Sequence, residues 1–143
     1  MLVACGPESN GTRLLHRILS TSDEEVVHRS LPNARTWWGS EDFPDSTVFV
    51  VCLRDPKIAA QSAVRAGYFD YLRTDEAKIE MALHEQVRAR NILGRFPRGR
   101  THYMLYEVLV ENPKLMISNL GKKLNLSLSI PEEIYDGDAK YLL

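Results

Sequence analysis

Apolar residues along this chain fall into two kinds of pattern. Short continuous runs alternate with longer stretches in which apolar positions recur every three or four residues. Leu2 to Cys5 is such a run, and Glu25 to His28 another, with Val26 and Val27 at its centre. Thr47 to Leu53 (Thr-Val-Phe-Val-Val-Cys-Leu) is the clearest strand. It is apolar throughout and rich in β-branched residues, as strands covered on both faces of a parallel sheet are. Thr101 to Tyr106 is a fourth strand. Helical spacing appears over Arg13 to Leu19, with Leu14, Leu15, Ile18 and Leu19 on one face. It returns after Asp55-Pro56, where an acidic cap precedes a proline that fits the first turn. Asp75 caps a long helix that runs to about Leu93, with Ile79, Ala82, Leu83, Val87 and Leu93 as its apolar positions. Asn112-Pro113 starts a last helix through Leu124 by the same cap-and-proline device. Ser30 to Asp45, with two prolines, a glycine and Trp37-Trp38, is an ordered surface loop.

Strands alternating with helices predict an α/β fold. The expected form is a three-layer sandwich with a mostly parallel central sheet and a P-loop-like topology. The 143 residues suit one domain, residues 1–143. Ligands on such sheets bind beyond the carboxyl ends of the strands. Three pieces of this chain converge there: the loop after the first strand, the segment after Leu53, and the stretch ending at His28.

The first of these is Gly6-Pro7-Glu8-Ser9-Asn10-Gly11-Thr12-Arg13. Small residues let backbone N–H groups at a helix start approach an anion. Thr12 adds a hydroxyl donor, and Arg13 a charged fork that suits phosphate or sulfate. The second is Arg54-Asp55-Pro56 with Ser62 eight positions after the arginine. Arg54 stands at a strand tip and Ser62 two turns into the next helix, so the pair suits a second compact anion. A triphosphate loop needs Gly-Lys-Ser/Thr after its spacer. Gly11-Thr12-Arg13 lacks that lysine, which makes a P-loop kinase of a small metabolite the lesser nucleotide reading.

The pattern Gly-x-x-x-x-Gly-Thr-Arg-Leu-Leu resembles the 5′-phosphosulfate loop of the sulfotransferases that use 3′-phosphoadenosine 5′-phosphosulfate. Arg54 to Ser62 resembles their 3′-phosphate motif. Tyr106-Glu107-Val108-Leu109 resembles their Tyr-Glu-Asp-Leu segment. The three occur in family order and span Gly6 to about Leu124. The resemblance implies that Ser9, Asn10, Gly11, Thr12 and Arg13 hold the phosphosulfate and that Arg54 and Ser62 hold the 3′-phosphate. It implies in-line sulfonate transfer to a hydroxyl or amine of a small-molecule or glycan acceptor, with no metal. His28 is the first choice for the base that deprotonates the acceptor, and Glu25 the second. Trp37 and Trp38 offer a wall for an acceptor, with one of them anchoring its loop. Tyr68, Phe69, Tyr71 and Leu72 form a second aromatic group.

Two departures stand out. The family that this chain resembles usually carries Lys or Arg at the place of Ser9. That leaves Arg13 or Arg17 to neutralise the leaving oxygen, or leaves a non-catalytic nucleotide-binding module of the same fold. Relatives also carry a basic C-terminal loop, for which Lys140 is the candidate here.

Bulk properties set the remaining bounds. A net charge of −1 provides no global field for nucleic acid or an anionic membrane. Cys5 and Cys52, both in apolar runs, read as buried thiols of a reducing compartment. No run approaches a membrane span or a signal-peptide core, so a cytoplasmic location is expected.

Overall fold

The computed structural model describes residues 1–131; Lys140 lies outside them. Four parallel strands, β1 (Leu2–Pro7), β2 (Val26–Leu31), β3 (Val48–Leu53) and β4 (Thr101–Leu105), form one sheet in the order β2-β1-β3-β4. The α-helices are α1 (Thr12–Leu19), α2 (Pro56–Arg65), α3 (Asp75–Leu93), α4 (Tyr106–Glu111) and α5 (Pro113–Leu124). This is the α/β architecture with a parallel central sheet that the alternating pattern predicts.

Strand alternation divides the core into two layers. Leu2, Ala4, Val50, Cys52 and Met104 point to one face, against Leu15, Ile18 and Leu19 of α1 and Ile117 and Leu120 of α5. Val3, Cys5, Phe49 and Val51 point to the other, against Ala89 and Leu93 of α3 and against Phe96. The central strands are therefore buried on both sides, which is why they show no polar alternation. The chain leaves β1 toward β2 on one side and toward β3 on the other. The strand order thus reverses between β1 and β3, and a crevice opens beyond their carboxyl ends.

Several boundaries differ from the sequence reading. The strand expected over Glu25 to His28 runs on to Leu31, because Ser30 and Leu31 pair with Gly6 and Pro7 at the end of β1. The cap of α3 is Thr74, whose hydroxyl accepts from the Ala77 N–H at 3.1 Å; Asp75 is the first helical residue. Tyr106 leaves the sheet to begin α4, a helix the sequence reading took in part as strand. Val87 was expected on the apolar face of α3 but is 56% exposed. The inward face is Ala82, Gln86, Ala89 and Leu93. Small side chains there let α3 lie close to α2 and the sheet, and a polar one, Gln86, is only 2% exposed.

Candidate functional site

β1 ends at Pro7, and the next four residues turn back into α1. The Asn10 N–H closes the turn on the Pro7 carbonyl at 3.2 Å. Ser9 (φ 62°) and Gly11 (φ 86°) both hold left-handed backbone, a region that disfavours side chains with a Cβ. At Gly11 space is short as well, since a Cβ would lie 2.5 Å from Cδ2 of Tyr106. The N–H groups of Gly11, Thr12 and Arg13 have no acceptor among the described residues. Those three residues line a cleft of about 1140 Å³.

Arg54 follows β3 and is 7% exposed. Its guanidinium lies 4.7 Å from the centroid of the Tyr106 ring and donates from Nη1 to the Ser9 carbonyl at 3.1 Å. The arginine of the second segment therefore sits against the loop of the first. α2 is capped as expected: the Asp55 carboxylate accepts from the N–H groups of Lys57 and Ile58 at 2.8 and 3.4 Å. Ser62, two turns on, faces the same cleft as Arg54. The Asp55 N–H donates to Glu107 at 2.6 Å, which ties this turn to α4.

Seven of the expected site residues, Ser9, Gly11, Thr12, Arg13, His28, Arg54 and Ser62, line this one cleft. Asn10 lies beneath it, fully buried. Its amide donates to the Glu8 carbonyl (2.9 Å) and to Oε1 of Gln86 (2.8 Å). Its Oδ1 accepts from the Arg54 N–H at 2.7 Å. The side chain of Asn10 thus shapes the loop from below, with its hydrogen-bonding groups already engaged.

His28 pairs with Ala4 in the β1–β2 register, and its Nε2 lies 2.8 Å from the Thr12 hydroxyl. Burial, then the nearby His16, Arg13 and Arg29, lower its pKa below 6.5. The ring is neutral at pH 7 and available as a base. Glu25 precedes β2 and is exposed. Trp38 is the anchoring member of its pair: Nε1 donates to the Ser30 carbonyl at 2.6 Å, and the ring packs on Phe43 and Phe96. Trp37 lines the cleft with Arg88 stacked 4.0 Å from its ring centroid. Phe69 belongs to a buried cluster and, with Tyr68 and Tyr71, borders the cleft.

The cleft carries charges of both signs. Arg13, Arg17, Arg35 and Arg54 contribute positive potential, and Glu8 and Glu85 oppose it. Burial, then the Glu8 charge, raises the pKa of Glu85. The same two causes, with a hydrogen bond to Glu8, raise that of Tyr68. Gln86, Arg90 and Glu85 received no role from the sequence, because α3 carries no motif and its contacts with the loop are long-range.

No protein-family model matches this chain, and no curated protein matches it. Among solved structures it is similar to the sulfotransferase domain from the curacin biosynthetic pathway. The identity is 24%, the match covers 68% of this chain and 37% of that one, and the TM-score is 0.49. At that level of likeness the activity must be argued from the cleft itself.

Proposed function

We propose that this chain is a sulfotransferase that moves a sulfonate group from 3′-phosphoadenosine 5′-phosphosulfate to a hydroxyl or amine. The observation that carries the reading is the position of Arg54, buried against Tyr106 and bonded to the Ser9 carbonyl of the glycine loop. Two anion-binding elements at neighbouring strand tips open into one cleft, as a ligand with phosphates at both ends of a nucleoside requires.

In this reading the free N–H groups of Gly11, Thr12 and Arg13 bind the phosphosulfate, with the Arg13 guanidinium beside them. Arg54 and Ser62 bind the 3′-phosphate. The acceptor approaches past Trp37, Tyr68 and Tyr71. Its oxygen or nitrogen attacks sulfur in line as the bond from sulfur to the phosphate oxygen breaks, and adenosine 3′,5′-bisphosphate departs. Charge growing on the leaving oxygen meets donors already in place, which is where such stabilisation is largest. His28 takes the acceptor proton. With the donor bound, the Thr12 O–H turns to the anion and its oxygen accepts from Nε2–H. Nδ1 is then the basic nitrogen of the neutral ring.

A non-catalytic binding module is the second reading. It is favoured by Ser9 in place of a loop cation and by the Glu8 carboxylate beside the loop. Calorimetry with adenosine 3′,5′-bisphosphate tests the site. Micromolar binding is expected, with loss in Arg54→Ala and a weaker effect in Ser62→Ala. A folded protein that fails to bind at millimolar ligand overturns both readings. Binding without transfer of labelled sulfonate across a panel of sugar, phenol and amine acceptors selects the second.

A further inference from the structure

Resting on the proposed two-anion site, we infer that α3 sets the separation between its two pockets, through Gln86 and Arg90. These residues are four apart on one helix and so share a face. Gln86 reaches the first pocket: Nε2 donates to the Glu8 carbonyl at 2.8 Å, and Oε1 accepts from Asn10 at 2.8 Å. Arg90 reaches the second: Nη2 donates to the Arg54 carbonyl at 2.5 Å. Asn10 closes the circuit by accepting from the Arg54 N–H. The loop and the strand tip are thus pinned to each other and to one rigid helix.

Arg90 acts from outside the cleft. It lines a second recess of about 810 Å³ that Arg54 also borders, with Leu53, Ile58 and Glu107. It is absent from the residues that line the cleft, so its influence on a ligand there runs through Arg54. Its Nε is buried with no acceptor among the described residues. An unsatisfied buried donor detracts from stability, so packing alone accounts poorly for an arginine here. Holding the Arg54 carbonyl, and with it the strand tip, is the role its geometry supports. Arg90 and Gln86 are positioning residues, and the property they set is preference for a ligand with two anions of fixed spacing. The gain from a second anion is an effective concentration, which collapses when the two pockets lose their register.

The test compares adenosine 3′,5′-bisphosphate with adenosine 5′-monophosphate by calorimetry on the whole chain. The monophosphate engages the loop alone. Arg90→Met is expected to weaken the bisphosphate by about tenfold or more and leave the monophosphate within about twofold. Arg90→Lys, which keeps a donor, should recover part of the preference and carries the test should Arg90→Met fail to fold. Gln86→Glu should weaken both ligands, because the loop itself loses a donor. Val87→Ala, on the outer face of α3, should change neither. A purely structural role predicts lower unfolding midpoints with equal loss for both ligands, or none. Either result in a folded Arg90 variant overturns the inference while wild type still prefers the bisphosphate. A wild-type protein with no such preference overturns the two-anion reading and the inference together.

Discussion

Replacing Gly11 by alanine tests the contact on which the cleft is built. Two penalties act at this position. The left-handed backbone, φ 86°, costs an L-residue about 1–2 kcal/mol. The new methyl group would stand 2.5 Å from Cδ2 and 3.0 Å from Cε2 of Tyr106. Ordinary carbon contacts are about 3.5–4 Å, so ring or loop must shift by about 1 Å. Overpacking of that kind costs about 1–3 kcal/mol, so the expected total is about 3 kcal/mol, a substantial share of a typical domain's stability. Urea unfolding provides the measurement, and a double-mutant cycle with Tyr106→Val separates the two penalties. Without the ring only the backbone cost should remain, leaving about 2 kcal/mol of coupling between the sites. Displacing the ring also removes the platform under Arg54, so bisphosphate affinity should fall in Gly11→Ala. A cost of less than about 1 kcal/mol, or equal costs in both backgrounds, would refute the reasoning.

Further consequences concern His28, the thiols and Trp38. The folded-state pKa of His28 is lowered from 6.5, so the unfolded chain takes up the proton first. Its contribution to stability is present above pH 6.5 and lost as pH falls through the folded value. His28→Gln should flatten that part of the urea-midpoint profile, and superimposable profiles would contradict it. Burial pushes the Cys52 thiol up to about 12 and raises Cys5 further. A thiol reagent at mild alkaline pH should therefore label neither in native protein and both in urea, and prompt native labelling would sink the assignment. Trp38→Phe keeps a ring but removes the donor to the Ser30 carbonyl. Its urea midpoint should fall by the equivalent of about 1 kcal/mol, and an unchanged midpoint would show that the bond contributes nothing.

What could be read along the chain was whatever depends on near neighbours. Continuous apolar runs marked the buried strands, because a strand covered on both faces has no polar side to display. Asp55-Pro56 marked the start of α2, because a cap and its orphan N–H groups lie within three residues of one another. The glycine loop and the Arg54–Ser62 spacing were legible for the same reason. What only the tertiary structure decided are contacts between residues far apart in the chain. Gln86 and Asn10 are 76 positions apart, and nothing local to either signals the other. Periodicity put Val87 inside and left Gln86 without a role, whereas the fold reversed them, since the loop needed a hydrogen-bonding partner at that place on α3. Tyr106 appeared as the end of a strand, and its work as the surface between Gly11 and Arg54 exists only once β1, β3 and β4 stand side by side. Local pattern specifies which backbone an element adopts. Which side chains meet at the strand tips follows from strand order, which no short segment encodes.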